Sequence, residues 1–213
     1  MMQAQAIAMT GMLFCSDESA DIFLICDVRL EPAEFTIFVR QLFSISARLE
    51  NVLATRILTT GGTFDKVYFD AKSEFHFGDP IVGNLLTESH ISSSYVVESL
   101  MQKDSLDMDD QDREQIRTAV ERSSEKQILI IHGTDTMVET ARSLGQPSDK
   151  TVVLFGAMQP ARMRYSDAMF NLGFAMAAVQ LLPTGVYLAM NGEVFDPAQV
   201  VKNQSLSRFE TIQ

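Results

Sequence analysis

QILIIHGTD, residues 127–135, joins a short apolar run to a loop of small polar residues. A continuous apolar run is typical of a parallel strand that is covered on both faces. The polar loop would then lie at the carboxyl end of that strand, where open parallel sheets bind their ligands. This segment therefore predicts an α/β protein with a ligand site beside residues 132–135.

The same alternation of strands and helices continues on both sides of this segment. Strand-like runs cover residues 56–60, 94–98, 127–131, 151–155 and 185–190, and helix-like segments cover residues 81–89, 110–124, 136–144 and 166–182. Strands that alternate with helices form βαβ units and a parallel sheet. We therefore expect a three-layer α/β/α fold with a mostly parallel central sheet, doubly wound and flavodoxin-like. Small and hydroxyl residues recur after successive strands, so several loops are expected to build one site.

The N-terminal residues do not continue this alternation. Residues 15–29 are strand-like, and residues 32–53 have the apolar spacing of an amphipathic helix. Two interpretations stay open: an accessory element, or a native chain that starts near residue 53. The predicted organisation is an N-terminal extension, residues 1–52, followed by an α/β domain, residues 53–213.

Composition excludes several classes of function. The 213 residues include 17 Lys and Arg against 28 Asp and Glu, and the net charge of −11 argues against binding to nucleic acid or an anionic membrane. Two cysteines and three scattered histidines argue against a metal cluster. The chain has neither a basic signal-peptide start nor a long apolar segment, so we predict a cytoplasmic protein.

The first candidate loop is TGGT, residues 60–63. Two glycines after a strand permit a tight turn and a close backbone approach to a ligand. Thr63 at the end of the turn can be exposed as a nucleophile. The alternative is an ordinary turn with a threonine that caps a helix.

The second candidate loop is HGTDT, residues 132–136. Thr136 and Glu139 have the spacing of a capping box, which predicts that Thr136 caps the next helix. The box does not account for Thr134 and Asp135.

Three further polar residues follow in later segments. Lys202 is either a solvated surface lysine or a group that reaches the site and takes a threonine's proton. Asp167 and Asn171 have the positions of a helix cap and of a residue at the edge of the core.

In this order and spacing the motifs resemble the asparaginase/glutaminase family of threonine amidohydrolases over about residues 55–210. TGGT resembles the family's first signature, and residues 131–139 (IHGTDTMVE) resemble the second. Residues 156–172 and 186–203 extend the similarity. The resemblance implies a short, single-domain L-asparaginase type that consists of the family's N-terminal domain and needs no metal or organic cofactor.

The resemblance also implies a reaction. The side-chain amide of L-asparagine would be hydrolysed in two steps to L-aspartate and ammonia. Thr63 matches the nucleophile and would form the acyl-enzyme. Thr134, Asp135 and Lys202 match the second catalytic group, in which the lysine sits against the threonine. Which threonine attacks stays open.

The implied substrate-binding residues are Gly62, Ser105, Thr134 and Asp135. Asp135 would bind the substrate's α-ammonium, and Ser105 would bind its α-carboxylate. The backbone N–H groups of Thr63 and Thr134 would stabilise the oxyanion.

Three departures from the family pattern predict weak substrate binding. Phe75 occupies the position of a loop tyrosine, and Tyr68 is the candidate replacement. Leu106 occupies the position of a glutamine, and the glutamate that a C-terminal domain supplies has no counterpart. Each lost hydrogen bond to a charged group costs about 1.5–3 kcal/mol, so a raised KM is expected.

Two alternative functions stay open. One is hydrolysis of glutamine or another small amide, because a methylene contributes only about 1–3 kcal/mol to discrimination. The other is amino-acid binding with little catalysis. A homodimer or homotetramer is expected, because family members self-associate and residues 168–182 carry more apolar residues than one buried stripe.

Overall fold

The computed structural model describes residues 54–69 and 74–212, and the backbone of two strands nearer the N-terminus. These strands, β1 (Leu13–Asp17) and β2 (Ala20–Leu24), form an antiparallel hairpin. The single strand predicted from residue 15 is therefore wrong, because the polar segment around residues 16–19 interrupts the apolar run. The helix predicted for residues 32–53 lies outside the described residues, and the boundary at residue 53 stays a prediction.

The remaining elements follow in chain order. The strands are β3 (Thr55–Gly61), β4 (Lys66–Phe69), β5 (Glu74–Phe77), β6 (Tyr95–Lys103), β7 (Gln127–Ile131), β8 (Thr151–Phe155), β9 (Gly185–Met190), β10 (Glu193–Phe195), β11 (Val200–Asn203) and β12 (Arg208–Thr211). The helices are α1 (Val82–Glu88), α2 (Asp110–Arg122), α3 (Met137–Ser143) and α4 (Ala168–Leu181). The predicted strands and helices after residue 54 are all present, with shifts of a few residues at their ends.

The central sheet has the order β10-β9-β8-β7-β3-β6, and β10 is antiparallel to β9. Numbered along the chain, the five parallel strands have the order 2-1-3-4-5, which is that of a flavodoxin-like sheet. The predicted fold class is confirmed. The strand order reverses between β3 and β7, and ligands of such sheets bind at this switch point.

The core lies on both faces of this sheet. Residues 128–131 of β7 and 152–155 of β8 are wholly buried, as expected for strands with helices on both sides. Helix α2 buries Ile116 and Val120, which lie four residues apart and therefore on one face of the helix. None of the described helices combines the length and the apolar character that a bilayer span requires.

Helix α4 is apolar on more than its buried side. Leu172, Met176 and Val179 are buried, whereas Phe170 and Leu181 are exposed. This pattern supports the expectation of self-association, which stays a prediction.

Candidate active site

Three loops meet at two glycines beside the switch point. Gly62 has φ 73° and ψ −171°, a conformation that is essentially restricted to glycine. A Cβ atom on Gly62 would lie 2.6 Å from the Cα of Gly133, and one on Gly133 would lie 2.5 Å from the Oγ of Ser105. The loops that carry Thr63, Thr134 and Ser105 therefore adjoin because two positions lack a side chain.

Lys202 lies in the site and is not a solvated surface lysine. Its Nζ donates hydrogen bonds to the Oγ1 of Thr134 and to the Oδ1 of Asp135, each at 2.7 Å. The Lys202 side chain is only 14% exposed. The structure thus brings together three of the predicted site residues through direct contacts.

The strand that carries Lys202 is joined to the helix that follows Thr134. Strand β11 pairs with β12 in an antiparallel hairpin. From α3, Arg142 donates to the carbonyl oxygens of Pro197 at 2.7 Å and Val200 at 3.3 Å. One short helix, which follows the loop of Thr134, is therefore bonded to the segment that leads to Lys202.

Thr136 does not form the predicted capping box. It occupies the N-cap of α3, but its side chain makes no hydrogen bond to the helix. Its hydroxyl instead donates to the carbonyl oxygen of Ser105 at 2.7 Å. The prediction is wrong because a carbonyl from a distant loop competes successfully with the local helix end.

Ser105 is buried beside this junction. It is 1% exposed, and its Oγ has no hydrogen-bond partner among the described residues. A buried hydroxyl without a partner costs about 1–3 kcal/mol, so a ligand acceptor here would remove that cost. The neighbouring Asp104 is engaged by Lys66, whose ammonium lies 2.7 Å away and lowers the pKa of that carboxyl.

His132 supports the backbone just before Thr134. Its ring is 1% exposed, and burial lowers the pKa of the imidazole to about 4. Nδ1 lies 2.7 Å from the carbonyl oxygen of Gly133, and Nε2 lies 2.8 Å from the Oγ1 of Thr140. A neutral ring with its proton on Nδ1 satisfies both contacts, since a carbonyl can only accept. The sequence places His132 in the loop but does not reveal this role.

Asp65 organises the other side of the site. It ends the 3-10 turn Thr63–Asp65 and is 1% exposed. Its Oδ1 accepts from the N–H of Ile81 at 3.1 Å, and its backbone carbonyl accepts from the N–H of Gly78 at 3.0 Å. Burial raises the pKa of this carboxyl to about 6. No sequence signal singles out Asp65, because its partners lie beyond the β4–β5 hairpin.

Tyr68 and Phe75 face each other across this hairpin. They are paired in the register of β4 and β5, and their ring centroids lie 5.3 Å apart. Both side chains are nearly half exposed. Tyr68, the candidate replacement for the loop tyrosine, therefore lies next to Phe75, which occupies the position of that tyrosine.

Asp167 and Asn171 connect the start of α4 to a neighbouring loop. Asp167 occupies the N-cap, but its carboxylate accepts from the backbone N–H groups of Met158 and Gln159 rather than capping α4. Asn171 is wholly buried, deeper than the predicted edge of the core. Within residues 54–69 and 74–212, no group of three or more His, Cys, Asp or Glu could hold a metal ion.

Comparison with known protein families gives a match for residues 55–213. They match the family model of the asparaginase N-terminal domain. The glutaminase-asparaginase of Acinetobacter glutaminasificans is 33% identical over 129 residues, 58% of this chain and 38% of that protein. L-asparaginase 2 of Escherichia coli K12 is 39% identical over 82 residues, 36% of this chain and 24% of that protein.

Solved structures show the same partial coverage. The thermostable L-asparaginase from Thermococcus kodakarensis has a TM-score of 0.65 and 25% identity, over 75% of this chain and 51% of that one. A probable cytoplasmic L-asparaginase from Campylobacter jejuni has a TM-score of 0.64 and 30% identity, over 74% of this chain and 52% of that one. The chain spans about half the length of these structures and well under half of the curated relatives.

Proposed function

Since the chain belongs to the asparaginase family through the family's N-terminal domain, we propose that it hydrolyses the side-chain amide of L-asparagine. The observation that carries this proposal is the contact of Lys202 with Thr134 and Asp135 at 2.7 Å each. A lysine at this distance from a threonine hydroxyl can exchange a proton with it. A protein that only binds amino acids has no need of such a pair.

Thr63 is the proposed nucleophile. Its Oγ attacks the amide carbon of the substrate, and the hydroxyl proton leaves with the amide nitrogen as ammonia. The product of this step is an ester between Thr63 and the aspartyl group. Water then adds to the ester carbon, the bond between that carbon and the Thr63 oxygen breaks, and L-aspartate leaves. Thr134 and Lys202 move the water proton that restores the Thr63 hydroxyl. Thr63 is half-buried beside Gly62, which supports an accessible hydroxyl on a firmly placed backbone.

The binding of the two charged substrate groups is assigned to Asp135 and Ser105. Lys202 contacts the Oδ1 of Asp135, and the Asp135 side chain is 34% exposed. The second oxygen of Asp135 would therefore accept from the α-ammonium of the substrate. The buried hydroxyl of Ser105 would donate to the α-carboxylate. The N–H groups of Thr63 and Thr134 would stabilise the oxyanion, a type of contact that contributes about 3 kcal/mol per donor.

Glutamine is the second candidate substrate. The relative from Acinetobacter glutaminasificans is named a glutaminase-asparaginase. A pocket that differs by one methylene discriminates by about 1–3 kcal/mol, so measurable hydrolysis of both amides is expected.

Ammonia release by the purified full chain tests the proposal. L-asparagine and L-glutamine are supplied at ~10 mM, above the usual range of KM. Thr63→Ala is compared with Thr63→Ser, which keeps the hydroxyl, and with Thr87→Ala on the exposed side of α1. Circular dichroism verifies that each variant is folded.

The expected result is activity in the wild type, Thr63→Ser and Thr87→Ala, and none in Thr63→Ala. An active Thr63→Ala would overturn the assignment of the nucleophile. A folded wild type that releases no ammonia but binds asparagine in a calorimeter would replace hydrolysis by amino-acid binding.

A further inference from the structure

The hairpin that carries Lys202 has a hydrogen-bond partner on its outer edge. Lys202 lies opposite Phe209 in the register of β11 and β12. The N–H of Phe209 donates to the Oδ1 of Asn191 at 3.2 Å. In an antiparallel pair, an N–H that points away from the partner strand is free to bond a further element. The side chain of Asn191 therefore takes the place that a neighbouring strand would have beside β12.

Asn191 is itself held by a buried amide. It directly follows β9 and has φ 57°, a left-handed conformation that asparagine tolerates. Its backbone N–H donates to the Oδ1 of Asn171 at 3.3 Å. Asn171 is wholly buried, and its Nδ2 donates to the carbonyl oxygen of Gly156 at 3.0 Å and to Asp167 at 2.9 Å. This series of contacts, the amide relay, joins the loops after β8 and β9 to β12.

We propose that Asn191 is a positioning residue for Lys202. A lysine has a flexible four-carbon stem, so its ammonium stays at two acceptors only if its backbone is well placed. The amide relay fixes β12, β12 fixes β11 by strand pairing, and Nζ then reaches both Thr134 and Asp135 at 2.7 Å. The catalytic consequence rests on the proposed function, whereas the placement of Nζ does not.

Two substitutions at Asn191 separate the hydrogen bond from the backbone conformation. Asn191→Gly removes the acceptor and adopts the positive φ without strain. Asn191→Asp keeps an acceptor oxygen and tolerates the same φ. Asn191 is exposed, so neither change leaves a cavity in the core. His90→Gly is the matched control, since His90 also has a positive φ (51°) and lies after α1.

The first measurement is independent of activity. Trace acetylation followed by mass spectrometry reports the reactivity of each lysine amine, with the exposed Lys126 as the internal reference. We expect the reactivity of Lys202 to rise several-fold in Asn191→Gly and to remain at the wild-type value in Asn191→Asp and His90→Gly.

The second measurement is steady-state hydrolysis of L-asparagine. Displacement of a catalytic group by about 1 Å can cost about 10²-fold in rate, so kcat of Asn191→Gly is expected to fall by up to that factor. KM is expected to change little, and Asn191→Asp should restore kcat. Wild-type reactivity of Lys202 in Asn191→Gly would overturn the proposal, as would an Asn191→Asp variant that behaves like Asn191→Gly. If the wild type hydrolyses no amide, the proposed function fails, and the acetylation result alone decides the role of Asn191.

Discussion

The two sides of the candidate site are built differently. On the side of the second signature, the side chains of His132 and Lys202 each have two polar partners and are almost enclosed. On the side of the first signature, Thr63 begins a 3-10 turn that leads into a hairpin with half-exposed aromatic rings. That side is held mainly by glycine packing and by the buried carboxyl of Asp65.

This difference matches the demands of the proposed reaction. Groups that exchange a proton need short, fixed distances, and on the enclosed side the Nζ of Lys202 lies 2.7 Å from both of its acceptors. The nucleophile needs access to a substrate, which the more open side permits. Three predictions test whether the two sides differ as this comparison requires.

Loss of the lysine should have the largest effect. Lys202→Met is expected to lower kcat by about 10²–10⁴, the usual contribution of a general acid or base, with a small change in Tm. The control is Lys126→Met, because Lys126 is exposed and precedes β7 at the end of the sheet opposite the site. Equal activity of the two folded variants would show that the enclosed side has no catalytic part.

The second-largest effect is expected when the close contact between Gly62 and Gly133 is disturbed. Gly62→Ala places a Cβ 2.6 Å from the backbone of Gly133 and forces alanine into a conformation essentially restricted to glycine. A loss of about 3 kcal/mol in the free energy of unfolding is expected, because steric overlap and backbone strain add. Urea unfolding measures it.

Gly83→Ala is the matched control for this substitution. Gly83 lies in α1, and outside its own helix none of the described residues has an atom within 4 Å of its Cβ position. Alanine there should stabilise the helix by about 0.5–1 kcal/mol. Similar stability changes at both positions would contradict the close packing of the loops.

The smallest effect should be the pH dependence that Asp65 confers on the more open side. The pKa of Asp65 is raised from 3.8 to about 6. Protonated Asp65 therefore contributes to the free energy of unfolding in full below pH 3.8, and this contribution is lost as pH rises through 6. Asp65→Asn is neutral at every pH. Its free energy of unfolding relative to wild type should therefore rise by about 2–3 kcal/mol between pH 4 and pH 7.

Urea unfolding across this pH range gives the result directly. Glu88→Gln, which neutralises an exposed carboxylate at the end of α1, measures the background. Parallel curves for Asp65→Asn and wild type would mean that burial of Asp65 does not destabilise its charged form.

Much of the fold followed from local patterns. The run QILII corresponds to β7 over the predicted residues 127–131, and TVVLF corresponds to β8 over residues 151–155. These strands are covered on both faces, so nearly all of their consecutive residues are apolar, and a short stretch of sequence is enough to predict them. The hairpins β4–β5 and β11–β12 were not predicted, because short exposed strands lack such a signal.

The site was predictable only to the level of its loops. Glycines and hydroxyl residues after successive strands indicated where chemistry would lie, and the resemblance to the family indicated Thr63 and Lys202. The roles of Asp65, His132 and Asn191 had no local signal. Apart from the carbonyl of Gly133 beside His132, their partners are groups whose positions depend on other elements.

The sequence by itself determined the order of strands and helices and the residue types at the strand ends, because these depend on neighbours a few positions away. Only the tertiary structure decided that Lys202 contacts Thr134 and Asp135, which precede it by 68 and 67 residues. It also decided that Thr136 bonds Ser105 rather than its own helix. Contacts over such separations depend on how the sheet brings its loops together, and no local pattern encodes that arrangement.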